Sequence, residues 1–497
     1  MLLPWLTLFD LRGVASNYIE TKKVNRDYRC DDFVILIPIF NDTKYITNID
    51  FLRKYKGRVA FCTTDLETPE FYASLQKIAD KHNFQVIKLE FKSGAKSPWQ
   101  IYSKTLLAHD YVLGESLAFL KSKYVIFLDA DTTCRTDISL LVGAVERYDY
   151  DISSVKVIPS RIKTITEKLQ NIEYEIAMKS RRIYPWLTSG AAMVAKRESM
   201  KKIMKKHSLF FNGGDIEIGK IANLMSMKTG HIPVTFETDV PETFPKLVKQ
   251  RFSWFCGAFR HSVINAHTNF FTPMYAVYFT FLIFLMLPLK LYEIIAHWYI
   301  VPFLFLFYIT VLFVSNWKIK NRYMFIFPFY SLFQILVLPL CGIYRYGQTV
   351  RKTGNYGIMK IHYKQGYNPF RYTINILFIA AIIFMLLNIS MVEHWFNLQN
   401  INLLEFVYIK VQSENKLYEG IGFYILLSGI FFVIMGYFKT IYLSKRLIKK
   451  IRFSYRLKIK HPIKKKSIIV FEESKTMAEI VNLRDNKLMR IVKENYL

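Results

Sequence analysis

The sequence predicts an α/β domain built on a mainly parallel sheet, followed by an α-helical transmembrane region. Three observations carry this reading. Short apolar runs alternate with helical patterns from about residue 28 to 260; the composition turns strongly apolar from Phe270; and one run, Tyr124-Val-Ile-Phe-Leu-Asp-Ala-Asp-Thr132, ends in two carboxylates. Strand–helix alternation of this kind gives a parallel sheet covered by helices on both faces, and a region of this length can bury its own core.

The strands read in order as Phe33–Phe40, Val59–Thr64, Gln85–Phe91, Tyr124–Asp131, Ile152–Pro159 and His231–Thr238, with helices at Lys44–Tyr55, Thr68–His82 and Trp99–Leu120 between the first four. The run before Asp129 is rich in Val, Ile and Phe, which suits a central strand buried on both faces. Carboxylates cannot stay charged inside such a layer without partners, so Asp129 and Asp131 belong at its open carboxyl end, where open α/β sheets bind ligands. An Asp-x-Asp pair there can hold a hard divalent cation, and the cation a diphosphate. The alternative is an Asx turn in which Asp131-Thr132-Thr133 caps the next element. On this segment alone the two stand level.

The 497 residues suit two regions rather than one domain. Apolar stretches at about Phe271–Leu289, Ile294–Ser315, Tyr323–Ile343, Tyr372–Val392 and Ile421–Tyr442 are candidate spans. A net charge of +29 raises nucleic acid as a partner, but its placement argues against that. Between Lys439 and Lys466 lie twelve Lys/Arg and no acid, directly after an apolar stretch, which reads as a topology signal and an anionic-lipid contact. If all five stretches crossed from a cytosolic domain, this run and the basic segment Tyr344–Arg371 would both face outward, against the positive-inside tendency. If Tyr323–Ile343, with Pro328 and Pro339, does not cross, both return to the cytosol and the Glu-richer Glu393–Glu419 loop faces out. The expectation is four crossings plus one interfacial or re-entrant helix. Met1–Phe9 is too short to span and lies on a membrane surface or forms a peripheral helix.

The resulting division is an N-terminal segment at 1–27, the α/β domain at 28–245, an interfacial helix at 246–270, the transmembrane region at 271–442 and a basic cytosolic tail at 443–497. Cys30, Cys62, Cys134, Cys256 and Cys341 are scattered without Cys-x-x-Cys spacing and read as reduced thiols rather than a disulfide framework or zinc site. There is no P-loop, Gly-x-Gly-x-x-Gly, metal-binding His pair or nucleophile elbow.

Three blocks then carry a resemblance. Asp129-Ala-Asp131-Thr132 after a hydrophobic strand is similar to the Asp-x-Asp motif of inverting family 2 glycosyltransferases with a GT-A fold. Val240-Pro-Glu-Thr-Phe-Pro-Lys-Leu-Val-Lys-Gln-Arg-Phe-Ser-Trp-Phe-Cys-Gly257 resembles that family's Pro-Glu-Thr…Gln-x-x-Arg-Trp segment, placed just before the membrane as in cellulose, chitin and hyaluronan synthases. Between them Gly213-Gly214-Asp215-Ile-Glu-Ile-Gly219 is similar to the family's Gly-Glu-Asp or Thr-Glu-Asp motif. Leu169-Gln-Asn-Ile-Glu-Tyr174, Ser189-Gly-Ala-Ala192 and Tyr346-Gly-Gln-Thr-Val-Arg-Lys-Thr-Gly-Asn-Tyr356 echo it further. The likeness covers roughly residues 30 to 360, and the order and spacing of the motifs carry it.

The resemblance implies roles. Asp131 would ligate Mg²⁺ or Mn²⁺ bridging the donor diphosphate, and Asp129 would contact the donor sugar or ribose. Asp215 would be the general base that takes the acceptor hydroxyl proton; as a residue opening a helical pattern it could otherwise be an N-cap. Gln250 and Trp254 would bind the acceptor, with an interfacial aromatic anchor as the alternative. Asp65 and Lys96 would contact the donor nucleotide, against a turn residue and a solvated lysine. The chain departs from the pattern at two places: Gly214 replaces the usual Glu, and Ser253 stands where the family has Arg. One hydroxyl does not replace five fixed donors, so Arg251, or Arg260, is the candidate diphosphate contact.

The implied function is transfer of sugar, with inversion, from a nucleotide-sugar, expected to be a UDP-sugar, to a growing polysaccharide. The protein would be a multi-pass protein of the cell membrane with its catalytic domain in the cytosol. Its partners would be the donor, a glycan or lipid-linked acceptor and membrane lipids, with no nucleic acid. The alternatives are single-sugar transfer to a lipid-linked or short glycan acceptor and a non-catalytic glycan-binding membrane protein. A channel or transporter would leave carboxylates at strand ends unexplained.

Overall fold

Apolar runs that alternate their side chains across a sheet need a core on each face, and the chain builds both. The computed structural model describes residues 24–90, 104–269, 301–316 and 321–361, together with Lys22 and Phe284. Lys96, the N-terminal stretch 1–21, the basic tail and the candidate spans at Phe271–Leu289 (apart from Phe284), Tyr372–Val392 and Ile421–Tyr442 lie outside these residues.

Eight strands form one sheet: β1 (Phe33–Pro38), β2 (Val59–Thr64), β3 (Gln85–Leu89), β4 (Tyr124–Leu128), β5 (Thr133–Cys134), β6 (Ile152–Pro159), β7 (Ala192–Lys196) and β8 (Thr229–Thr238). Their order is β3-β2-β1-β4-β7-β6-β8-β5. Strands β1, β2, β3 and β4 run parallel, as do β6 and β8, whereas β7 is antiparallel to both β4 and β6 and β5 is antiparallel to β8. The sheet is mixed and mostly parallel, consistent with a GT-A domain.

Phe33, Ile35 and Ile37 of β1 and Tyr124, Ile126 and Leu128 of β4 enter one core, which is closed by helices α1 (Pro69–His82) and α3 (Ile138–Arg147). Val34, Leu36, Val125 and Phe127 enter the other, closed by α2 (Lys104–Ser116), α5 (Arg197–Met204) and α6 (Gly214–Leu224). Local signals fix the helix ends. Thr68 accepts from Phe71 N ahead of Pro69, and α1 stops at Asn83 in the left-handed region. Thr164 and Glu167 form a reciprocal capping box at the start of α4 (Ile165–Ile183).

The structure corrects three expectations. The expected helix Lys44–Tyr55 is three short helical pieces, Thr43–Tyr45, Ile49–Leu52 and Arg53–Tyr55. The parallel strand expected at Tyr124–Asp131 stops at Leu128, before the carboxylates. Strands β5 and β7 are additions: Thr133–Cys134 is too short to show a period, and Ala192–Lys196 is a five-residue run flanked by helices.

Beyond the sheet lie α7 (Phe244–Phe259), a π-helical turn at Arg260–Ile264, α8 (Val301–Asn316), α9 (Phe327–Leu336) and α10 (Leu338–Thr353). Among the described residues no single helix is long and apolar enough to cross a membrane, but α9 and α10 together pass by length and composition, bent by 42°. Proline sits in the first turn of each: Pro328 in α9 and Pro339 in α10. A proline is tolerated there and not mid-helix, so Pro339 marks where the apolar stretch Tyr323–Ile343 breaks.

Candidate active site

The reversed strand β7 assembles the site. Because it runs against β4, its first residue lies beside the end of β4: Ala192 pairs with Leu128, and Asp129 N donates to Ala191 O at 3.1 Å. The Ser189–Ala192 segment is thereby laid next to the Asp129–Thr132 turn. Asn48 Nδ2 donates to Asp129 O (3.1 Å) and Thr132 O (2.8 Å), and Thr132 N donates to Asp129 O (3.1 Å), so the backbone of the turn is fixed. The hydroxyls of Thr132 and Thr238, 3.0 Å apart, each lie 3.1 Å from Asp131 Oδ1.

The Asp129 carboxylate makes no hydrogen bond among the described residues. Burial, then the charges of Asp131 and Asp215, push its pKa up to about 6, against a lowering by His109. Burial also raises Asp131, partly offset by Thr132 and Thr238. The turn and the cation reading are therefore compatible: the backbone makes the turn and leaves two poorly compensated carboxylates. Among the described residues no group of three His, Cys, Asp or Glu could hold a metal ion. A cation bound through one or two carboxylates plus substrate phosphates does not need such a cage, and the Asp pair fits that case.

A carboxyl group whose folded pKa lies above its unfolded value penalises the fold at high pH, and the penalty fades as pH falls through the folded pKa. In metal-free protein, Asp129→Asn is therefore expected to unfold at a higher temperature than the unaltered chain at pH 7.5. The gap should shrink below about pH 6. Thermal unfolding of both proteins across pH checks this.

Asp215 lies in the first turn of α6, and the N-cap is Gly213, with φ +77°, so Asp215 is not the cap. Its Oδ2 accepts from Gly190 N at 2.9 Å, and Thr188 Oγ1 donates to its backbone carbonyl. The β7 approach thus holds Asp215 as well as Asp129. Burial raises the Asp215 pKa, opposed by the Ile216 N–H, Arg181 and the Gly190 N–H; a half-buried carboxylate that holds protons more tightly is a better base. Gly213 packs on Gly257 of α7 so closely that a Cβ on Gly213 would stand 2.9 Å from Gly257 Cα. Left-handed backbone and close approach both require glycine here.

On α7, Trp254 is 44 % exposed and faces Tyr174 of α4 with ring centroids 6.4 Å apart. The Arg251 guanidinium lies 3.6 Å from the Trp254 ring centroid. Arg251 itself is buried, with Nη2 donating to Glu173 Oε2 at 2.6 Å, while Tyr330 donates to the same oxygen at 2.7 Å. Gln250 Oε1 is buried without a partner among the described residues. Ser253 Oγ accepts from Asn212 Nδ2.

Arg260 is fully buried, with Nη1 bonded to Glu217 and Ser208 and Nη2 donating to Gly213 O at 3.1 Å. Burial would raise the Glu217 carboxyl, but His207, Arg260 and Ser208 outweigh it and hold it low. Removing one partner of a buried pair leaves the other charge uncompensated, at a cost of about 3–5 kcal/mol. Arg260→Met is expected to lose stability on that scale, as measured by denaturant unfolding.

Asp65 is exposed after β2, its N–H donating to Leu89 O at 2.9 Å. Two residues that sequence reasoning passed over join the cleft from α2: His109 and Asp110, whose charges act on Asp129 and Asp215 respectively. Their adjacency in an expected helix was the sole sequence signal. Glu217 and Glu173, the partners of the two buried arginines, were also passed over as single residues.

The family model for glycosyl transferase family group 2 matches residues 124–385. No curated protein matches the chain. Among solved structures, a mannosyltransferase from Pyrobaculum calidifontis, PcManGT in complex with GDP-Man and Mn²⁺, is 11 % identical, with 69 % of this chain and 93 % of that one covered and a TM-score of 0.40. TarS from S. aureus is 15 % identical with a TM-score of 0.29, covering 48 % of this chain and 41 % of that one. Its 1–349 fragment is 16 % identical with a TM-score of 0.30, covering 68 % and 92 %. At these scores the solved structures carry no argument about chemistry.

Proposed function

The chain belongs to glycosyl transferase family group 2, and from that membership we propose that it is a membrane-integral inverting glycosyltransferase that moves sugar from a nucleoside-diphosphate sugar, a UDP-sugar in the first instance, to a growing glycan. The observation that carries the reading is the convergence of Asp129, Asp131 and Asp215 on one sheet edge, with Gly190 and Ala191 of the β7 approach bonded to Asp215 and Asp129.

In this reading Asp215 takes the proton from the acceptor hydroxyl as that oxygen attacks the anomeric carbon, while the bond to the diphosphate breaks on the opposite face. Asp129 and Asp131 would hold Mg²⁺ or Mn²⁺ together with the donor, and the ion supplies charge neutralisation to the departing diphosphate. Trp254 offers an exposed ring for the acceptor sugar, kept in place by Arg251 and Tyr174. Asp65 and Lys96 are assigned to the donor nucleotide, and Gln250 to the acceptor.

The membrane assignment rests on an exposed apolar belt. Leu306, Phe325, Phe329, Val337 and Leu340 are each more than 40 % exposed on or beside α8, α9 and α10, and patches of this kind mark membrane or partner contacts. The basic segments Tyr344–Arg371 and Lys439–Lys466 orient the catalytic domain to the cytosol.

Single-sugar transfer is the second reading, favoured by Ser253 and by the commitment of Arg251 and Arg260 to Glu173 and Glu217. Product length separates the two. Purified protein in lipid, given Mn²⁺ or Mg²⁺ and a panel of UDP- and GDP-sugars with glycan acceptors, should yield chains of many units under the first reading and single additions under the second. No glycan product from any donor would contradict both.

A further inference from the structure

Helix α2 carries a charged pair to the cleft that the chemistry above leaves unused. Asp110 is 4 % exposed; its Oδ1 accepts from His109 Nδ1 at 2.9 Å, and its Oδ2 has no hydrogen-bond partner among the described residues. That free oxygen lies where a side chain at position 214 would begin: a Cβ on Gly214 would fall far inside contact distance of Asp110 Oδ2. The departure at Gly214 is thus matched by a carboxylate that fills the same space from another helix.

His109 is set for a different task from Asp110. Its side chain is 24 % exposed, its ring lies between Phe211 and Phe40 at centroid distances of 5.1 and 6.5 Å, and Nε2 has no partner among the described residues. With Nδ1 bonded to Asp110, protonation leaves an N–H on Nε2 free to donate. Burial opposes a charged ring, but the Asp110 hydrogen bond and the charges of Asp110, Asp129 and Asp215 outweigh it and raise its pKa. Asp110 is in turn held ionised, against its burial, by the His109 hydrogen bond and the charges of His207, His109 and Arg260.

Of the side chains the sequence offered for the diphosphate beside the divalent ion, Ser253 carries no charge, Arg251 is bonded to Glu173, and Arg260 is enclosed with Glu217. We propose that His109, oriented by Asp110, binds the donor by donating Nε2–H to a diphosphate oxygen, taking the part of the arginine missing at position 253. This rests on the nucleotide-sugar reading above.

The test is equilibrium binding of UDP and of GDP to the full chain in detergent with Mg²⁺ and no acceptor, at pH 6 and pH 8.5. A charge-assisted hydrogen bond of this kind is worth about tenfold in affinity. His109→Gln is therefore expected to weaken binding of whichever nucleotide the unaltered protein takes by about tenfold at pH 6. The gap should narrow at pH 8.5, as the unaltered ring loses its proton; the ionisation of the nucleotide itself cancels in the ratio. Uridine and guanosine, which lack phosphates, should bind both proteins alike, which also shows the variant cleft to be folded. Asp110→Asn should give a smaller loss with the same pH trend. Equal nucleotide affinity at pH 6, or a loss that is the same at both pH values and shared by the nucleosides, overturns the proposal. If the unaltered protein binds neither UDP nor GDP, the nucleotide-sugar reading fails and the contact fails with it.

Discussion

Asp215→Asn is expected to lower kcat by about 10²–10⁴-fold, the range a positioned general base contributes, while donor affinity changes little. The separation follows from where the residue sits. Asp215 is in the first turn of α6, away from the Asp129–Thr132 turn in sequence, and reaches the cleft because Gly213 adopts φ +77° and Gly190 N bonds its carboxylate. An amide of the same shape can still accept from Gly190 N, so the loop should stay in place and only the basic oxygen is lost. Turnover against nucleotide affinity, measured on the same preparation, reads the two effects apart. A fall in affinity as large as the fall in kcat would mean that Asp215 holds the donor rather than the acceptor proton.

Asp131→Asn should act the other way. It removes a charge whose oxygen already sits between two threonine hydroxyls, so the fold has little reason to move. The effect should fall on the cation and, through it, on the diphosphate. Metal-dependent nucleotide affinity is expected to drop at least about 100-fold, beyond the about 10–100-fold typical of partners outside the coordination sphere. Metal-independent binding of the nucleoside should be unchanged. Titration of Mn²⁺ against nucleotide binding in both proteins checks this.

Much of the frame was legible in the sequence because it rests on short-range rules. The strands at Val59–Thr64 and Ile152–Pro159 fall where apolar runs placed them, and α1 begins at its Thr-Pro signal. What escaped depends on contacts distant in sequence. The reversal of β7 cannot be read from Ala192–Lys196, since a five-residue strand has the same period in either direction, yet it brings Asp129 and Asp215 to one edge. The region Lys44–Tyr55 has helical spacing but serves as a set of turns, with Asn48 spent on holding the Asp129–Thr132 backbone.

The same limit applies inside the site. Asp129, Asp131, Asp215 and Trp254 stood out by motif. His109 and Asp110 did not, because their meaning lies in what faces them from β4 and α6. Arg251 and Arg260 were read as candidate diphosphate contacts from sequence, and the structure pairs each with an acidic partner, Arg251 with the half-buried Glu173 and Arg260 with the buried Glu217. A guanidinium bonded in this way positions its neighbours: Arg251 lies against Trp254, and Arg260 holds the Gly213 carbonyl that leads into Asp215.

The most direct measurement of the central claim is nucleotide release by purified protein supplied in turn with UDP- and GDP-sugars, with and without Mn²⁺ or Mg²⁺, beside Asp215→Asn. The account predicts release from at least one donor, dependent on the divalent cation and lost in the variant. Consumption of no donor, or turnover unchanged by Asp215→Asn, would contradict it.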